Sequence, residues 1–371
     1  MRVAIDARKL HDFGIGTYIR NLLRHLARLD RESEFVLLVS RDDLGIATQL
    51  GPNFRTVLEP SPNYSFREQI HIPWSLRRER PDVFHAPHYV LPVAVRCRSV
   101  VTIHDCIHLM FPQYLPNRMA YAYARASIWS AARKASRILT VSEASKRDIL
   151  HFFDVPPDKI EVVYNAIDER FWNRPDEGEV GRVRERYQLN SRFVLYVGNI
   201  KPHKNLVRLI KAFDQVRKTP GLEDVKLLII GDEISKLPAL RRAVHSYKLH
   251  KEVRFLGYVR DETLAILYRL ASAFAFPSLY EGFGLPALEA MASGTPVVTS
   301  NVSSLPEVAG DAAVLVDPYN VSDIADGLVR VLTDPALAAD LSRRGLVRAR
   351  DFSWERSVAR THEIYRQVAA L

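Results

Sequence analysis

Glu281-Gly282-Phe283-Gly284-Leu285-Pro286-Ala287-Leu288-Glu289-Ala290-Met291-Ala292-Ser293-Gly294-Thr295-Pro296-Val297-Val298 decides how this chain is read. It is preceded by Phe274-Ala275-Phe276-Pro277, a short apolar run of strand character that stops at a proline. Pro286 suits a first helical turn, where its missing N–H has no intrahelical acceptor to lose, and Ala287, Leu288, Ala290, Met291 and Ala292 continue the helix. Gly294 and Pro296 end it, and Pro296-Val297-Val298-Thr299 starts the next strand. The unit is therefore strand, glycine loop, helix and strand, the repeat of an α/β protein with a parallel sheet. Gly282 and Gly284 let the backbone approach a ligand, and the amides of Gly284 and Leu285 point off the helix start, where phosphate is attracted. Glu289 lies about one turn in. A carboxylate there repels phosphate, so it is read as an acceptor for ribose hydroxyls, with Glu281 facing the sugar.

The other reading makes Glu281 a solvated loop residue and Glu289 an ordinary first-turn acid. Carboxylates eight apart occur by chance, but the surrounding run is specific. It resembles the Glu-x7-Glu signature of retaining glycosyltransferases of the GT-B fold, in particular glycosyltransferase family 4. The resemblance implies two doubly wound Rossmann-like domains facing a central cleft, the donor held mainly by the second domain and the acceptor by the first. It also implies retention at the anomeric carbon, no bound metal, and a dissociative, oxocarbenium-like transfer. No side chain stands out as a covalent nucleophile.

The rest of the chain agrees in pattern. At 371 residues it exceeds what one core usually organises, and 47% hydrophobic with 26% charged residues is ordinary for a globular protein. Strand-like runs at Val3–Ile5, Phe35–Val39, Val83–His85, Ser99–Ile103 and Ile138–Val141 alternate with helical patterns such as Thr17–Leu29. A second series follows at Phe193–Val197, Lys226–Ile230, Val253–Leu256, Phe274–Phe276, Val297–Thr299 and Ala313–Val316. The expected division is residues 1–170 as acceptor domain and 185–352 as donor domain. The charged, weakly periodic stretch 168–186 is read as the connector. Residues 353–371 carry Trp354, Val358, Tyr365 and Val368 on one stripe, and the resemblance implies that this helix packs back on the first domain.

Gly198-Asn199-Ile200-Lys201-Pro202-His203-Lys204-Asn205 follows a strand, where open sheets bind ligands. It is similar to the family's Gly-Arg-x-x-Lys region, which implies that Lys204 contacts the donor diphosphate. Asn199 stands where the family has arginine, leaving open whether Lys201 supplies the second charge or one cation suffices. Gly14 and Gly16 open a helix. They are either a helix-entry turn or, as the resemblance implies, a loop that closes over the diphosphate. The dinucleotide fingerprint of a dehydrogenase is absent. His104-Asp105 ends a strand and resembles the family's His-Asp beside the reacting sugar, so His104 is expected to accept a donor hydroxyl or position the acceptor. His85, His88 and His108 are read as packing residues and not as a metal set. After Gly257, Tyr258 and Val259 are expected to meet the base, as the resemblance implies.

Catalysis is thus expected from His104, Lys204 and Glu281, and donor binding from Gly14, Gly16, Asn199, Lys201, Lys204, Tyr258, Val259, Glu281, Gly282, Phe283, Gly284, Leu285 and Glu289, with no metal and no cofactor. The overall run, Thr102–Leu109 included, is most similar to bacterial mannosyltransferases that build surface polysaccharides, which implies GDP-mannose as donor and a saccharide or lipid-linked saccharide as acceptor. A nucleotide-sugar epimerase of the same fold and a catalytically silent sugar-nucleotide-binding partner are the alternatives. No apolar run is long enough to span a bilayer and no signal peptide opens the chain, so a cytoplasmic protein is expected, associated with the membrane's inner face if basic segments reach it. Two cysteines, Cys97 and Cys106, make no disulfide framework.

Charge is uneven. Of the net +9, residues 1–150 hold 22 Lys and Arg against 14 Asp and Glu. No nucleic-acid-binding motif accompanies them, so an anionic membrane or a phosphate-bearing acceptor is the expected partner. Arg118–Arg137 interleaves basic and aromatic residues. It reads either as a membrane-surface helix or as a helix packed by its aromatics with a solvated basic face.

Overall fold

The computed structural model describes residues 1–12, 14–231 and 238–371. They form two compact units, Met1–Ala166 with Ser353–Leu371, and Ile167–Phe352.

The first unit is built on seven parallel strands: β1 (Arg2–Asp6), β2 (Glu34–Val39), β3 (Phe54–Leu58), β4 (Val83–Ala86), β5 (Arg98–Thr102), β6 (Arg137–Thr140) and β7 (Ile160–Val162). Their order is β3-β2-β1-β4-β5-β6-β7. The central strands are buried on both faces, which is why they read as unbroken apolar runs such as Phe35–Val39. The sequence pattern missed β3 and β7, and both are edges. β3 has only Phe54 buried, stacked on Phe35 at 4.6 Å, and β7 is three residues long, so neither carries a run that stands out.

The helix Trp354–Ala370 belongs to this unit and buries Trp354, Val358, Ile364, Tyr365 and Val368. Polar pairs fix its rotation as well. His362 Nε2 lies 2.6 Å from Asp30 Oδ2. The Tyr365 hydroxyl lies 2.5 Å from His85 Nδ1, whose other nitrogen meets Thr102 Oγ1 at 2.8 Å. Burial pushes His85 down to about 3, with His104 adding to the fall, so the ring stays neutral inside the sheet.

The second unit has six parallel strands: β8 (Phe193–Val197), β9 (Lys226–Ile230), β10 (Val253–Gly257), β11 (Ala273–Phe276), β12 (Val297–Ser300) and β13 (Ala313–Val316). Their order is β10-β9-β8-β11-β12-β13. Here the reading of 168–186 as a connector needs correcting, because the stretch is part of this unit. Asp168 caps a short turn, Glu169–Phe171, and Phe171 is buried with its ring 5.7 Å from that of Tyr268. Asp176 caps the helix Glu177–Arg186, which buries only Val183. One buried residue leaves no apolar period in the sequence, yet capping and the Phe171 anchor suffice to order the segment.

Tyr365→Phe leaves the buried His85 Nδ1 without its partner and is expected to cost about 1–2 kcal/mol. Urea denaturation followed at the first unit checks it, and an unchanged midpoint would show that the hydroxyl contributes nothing.

Candidate functional site

In an open parallel sheet the strand order reverses once, and the loops leaving the carboxyl ends of the two strands there diverge to opposite faces, leaving a crevice. In the second unit those strands are β8 and β11. The loop after β8 carries Lys204 and the loop after β11 carries Glu281. They are 77 positions apart, but topology sets them side by side.

The Lys204 ammonium donates to both Glu281 oxygens, at 2.6 and 2.8 Å. Both side chains are largely buried, 14% and 11% exposed, and Nζ also lies 5.5 Å from the centre of the Phe276 ring. Neighbouring backbone is tied down around the pair. Asn205, in a left-handed conformation at φ 63°, donates through Nδ2 to the carbonyls of Pro277 (2.9 Å) and Pro318 (2.6 Å), and the Leu279 amide donates to the His203 carbonyl at 2.8 Å. On the other side Ser303 and Ser304 donate their hydroxyls to the Glu281 carbonyl at 2.5 and 2.9 Å, while the Glu281 amide donates to Ser303 Oγ at 3.2 Å. Lys204 and Glu281 are thus presented from loops that are pinned at both ends.

The helix Leu285–Ala292 begins next to this pair with Gly284 as its cap, at φ 105°. The conformation favours glycine, and a Cβ there would sit 2.7 Å from Leu305 Cδ2, so that side chain would have to shift. No side chain caps this end, Pro286 has no N–H, and the helix itself offers the Leu285 N–H no acceptor. Glu289 is half-buried one turn in, where its Oε2 accepts from the Tyr268 hydroxyl at 2.9 Å. Burial drives its carboxyl up to about 7; Asp261 and Asp168 reinforce that rise, against the Tyr268 hydroxyl and Arg170. Arg170 holds both of those aspartates, at 2.9 Å to Asp168 and 2.5 Å to Asp261. The arrangement puts a cation and a helix start next to two carboxyl groups of different character. Chemically it suits a ligand with an anionic centre flanked by hydroxyls.

The remaining residues expected at the site are spread more widely. Gly282 is half-buried in the same loop. Phe283 turns its ring inward, 5.5 Å from Phe352, so only its backbone can face a ligand. Asn199 is half-buried and Lys201 exposed in the loop after β8. Tyr258 is exposed and Val259 buried after β10, which is an edge strand separated from β11 by β9 and β8.

Gly14, Gly16 and His104 belong to the first unit. Gly14 caps the helix Ile15–Leu29 at φ 66° with open space where a Cβ would go. Gly16 is packed: a Cβ would lie 2.4 Å from the Leu10 carbonyl oxygen, and its amide already donates to Asp12 at 2.8 Å. His104 Nε2 donates to the Pro87 carbonyl at 2.8 Å, with its ring edge-on to Tyr18 at 5.0 Å. Since a carbonyl only accepts, the proton sits on Nε2 and Nδ1 is left as the lone-pair nitrogen. Burial lowers the His104 pKa, so the ring is neutral near pH 7. His88 is buried beside Tyr64 and Tyr89, and the His108 ring lies 6.3 Å from that of Tyr89. Among the described residues no three His, Cys, Asp or Glu side chains converge as metal ligands.

Tyr268, Arg170, Ser303 and Ser304 escaped the sequence reading, and Asn205, quoted there at the end of the lysine motif, was given no role. A signal existed for the serines, because they follow β12, the neighbour of β11, at its carboxyl end. Tyr268 had none, since it sits in the last turn of a helix, after the apolar run Leu264–Leu267.

Comparison with known proteins places the two halves separately. A profile described as "Glycosyltransferase Family 4" matches residues 14–171, and one described as "Glycosyl transferases group 1" matches residues 181–348. The O-antigen chain mannosyltransferase B of Escherichia coli is 35% identical over 294 residues, 79% of this chain and 76% of that protein. The serotype-specific mannosyltransferase WbdA, also of E. coli, is 30% identical over 73% of this chain, which spans only 34% of that longer protein. Among solved structures, sucrose-phosphate synthase of Thermosynechococcus elongatus superposes with a TM-score of 0.82 at 20% identity, covering 100% of this chain and 99% of that one, a likeness of fold.

The raised Glu289 carboxyl has a signed consequence for stability. Between its ordinary value of 4.5 and about 7 the folded protein retains a proton that the unfolded chain has released, so stability falls as pH rises through that window. Discounted for partial exposure, the fall attributable to Glu289 is about 1–2 kcal/mol. Glu289→Gln is expected to abolish it, as read by urea denaturation at about pH 5 and about pH 8. A variant that declines with pH as steeply as the wild type would contradict this.

Proposed function

This chain belongs to glycosyltransferase family 4, and on that premise we propose that it transfers mannose from GDP-mannose, with retention and without a bound metal, to a saccharide or lipid-linked saccharide acceptor of a bacterial surface polysaccharide. The observation that carries the reading is the Lys204–Glu281 pair beside the helix start opened by Gly284. The diphosphate takes the Lys204 ammonium and the Gly284 and Leu285 amides, and Glu281 is left to hold hydroxyls of the sugar. As the bond from the anomeric carbon to the diphosphate oxygen breaks, negative charge grows on the leaving group. Preorganised positive groups are most effective there. Glu289 accepts from the ribose, Tyr258 and Val259 meet the base, and Lys201 or Asn199 serves in place of the family's usual arginine. His104, through its lone-pair Nδ1, accepts a hydroxyl of the donor sugar or positions the acceptor. No metal is required, because Lys204 and the helix start supply the positive charge.

The choice of mannose is supported by the names of the E. coli relatives, both mannosyltransferases. We place the enzyme in the cytoplasm, where nucleotide sugars are its substrates.

Transfer assayed with a panel of nucleotide sugars is expected to proceed with GDP-mannose, and Glu281→Ala to lower kcat/KM by roughly 100-fold or more. Activity only with a uridine or thymidine donor would overturn the mannose assignment. Release of an epimerised sugar with no acceptor would make the protein an epimerase, and transfer unchanged in Glu281→Ala would remove that residue from the chemistry.

A further inference from the structure

The exposed side chains of the first unit hold a pattern that the proposed donor site does not include. Phe66, Ile70 and Trp74 follow one another at helical four-residue spacing, through a turn and into the helix Glu68–Glu79, and they are 88%, 70% and 59% exposed. Arg78 continues the stripe, its guanidinium 4.8 Å from the centre of the Trp74 ring. Among the described residues from 66 to 80, every exposed side chain is one of these three apolar groups, Arg67, Arg77, Arg78, Arg80 or His71. The two acids of the stretch are turned away: Glu68 is buried against Arg8 at 3.1 Å, and Glu79 pairs with Arg55.

The helix Arg118–Lys134 repeats the composition. It contains no acid, and Arg118, Met119, Ala122, Arg125, Ala126, Trp129 and Arg133 form its exposed face, with Met119 81% exposed and Arg133 lying over Trp129 at 5.3 Å. The two helices share a connecting loop. The exposed Val93 donates its amide to Gln69 Oε1 at 3.3 Å, and the Lys134 ammonium donates to the Val93 carbonyl.

Large apolar side chains in water are a cost that a packed protein normally avoids, and here they come with arginines and without carboxylates. A protein partner of ordinary composition does not demand that exclusion of acids across two elements. An anionic lipid surface does, because apolar side chains enter the acyl boundary while arginines stay at the headgroup phosphates. Among the described residues no helix is long and apolar enough to cross a membrane, so contact of this kind lies along the surface. We propose that Phe66, Ile70, Trp74 and Met119, framed by Arg67, Arg77, Arg78, Arg118 and Arg125, dock the first unit on the face of an anionic bilayer. The Phe66–Trp74 stripe adds an apolar anchor to the basic first 150 residues and the Arg118–Arg137 segment, where the sequence pointed to a membrane surface.

Co-sedimentation of the full chain with vesicles tests it. Binding is expected to vesicles of equal parts phosphatidylglycerol and phosphatidylcholine, to vanish on phosphatidylcholine alone, and to weaken as salt rises. The double variant Ile70→Glu/Trp74→Glu is expected to lose roughly tenfold or more in partitioning, with a thermal melt like that of the wild type because both positions are already exposed. Val347→Glu, an exposed apolar site in the second unit, is expected to change nothing. Failure of the wild type to bind the anionic vesicles, equal binding to neutral ones, or undiminished binding by the double variant overturns the proposal. So does a result in which the double substitution abolishes binding to a nucleic-acid duplex while vesicle binding is unmoved.

Discussion

The contact on which the site depends is the ion pair between Lys204 and Glu281, and its cause is topological. Reversal of strand order between β8 and β11 sends their following loops to opposite faces, and the side chains of Lys204 and Glu281 meet across that gap at 2.6 Å. Much else in the second unit serves to hold that meeting. Asn205 fastens the lysine loop to Pro277 and Pro318, and Ser303 with Ser304 fastens the glutamate loop from β12. The pair keeps an otherwise costly buried charge neutralised, and in the proposed function a ligand anion shares the lysine.

In the first unit strand order reverses between β1 and β4, and the buried charge cluster there joins the end of β1 to the helix that follows β3. Arg8, just past β1, is buried between Asp6 at 2.6 Å and Glu68 at 3.1 Å. Burial opposes ionisation of Arg8, but the two carboxylates more than offset it and raise its pKa. Glu68 thereby anchors the helix whose opposite face presents Ile70 and Trp74 to solvent. One helix therefore connects a buried charge cluster with an exposed apolar stripe.

What could be read from the sequence followed burial. Central strands such as Phe193–Val197, buried on both faces, were legible as apolar runs, and so was the turn from glycine loop to helix at Gly284 and Leu285. Edge strands β3 and β7 were not, because half-exposed or three-residue strands carry no such run. The segment 168–186 misled for the same reason: capping by Asp168 and Asp176 orders it, and Val183 alone in the helix is buried. At the site, the residues that touch a ligand in the proposal stood out by motif. Those that shape their chemistry did not. Tyr268 donates to Glu289 from a helix of apolar appearance, and Arg170 reaches Asp261 from 91 positions away. Long-range partners of this kind are set by packing, which a local pattern does not encode.

The central claim is a division of labour, with Lys204 at the diphosphate and Glu281 at the sugar. Isothermal titration with GDP, which has the diphosphate but lacks the transferred hexose, tests it most directly. Lys204→Met is expected to weaken GDP by roughly tenfold or more, while Glu281→Gln, which frees the ammonium, leaves GDP affinity unchanged or tighter. If Glu281→Gln weakens GDP as much as Lys204→Met does, the two residues do not divide the ligand, and the account of the site is wrong.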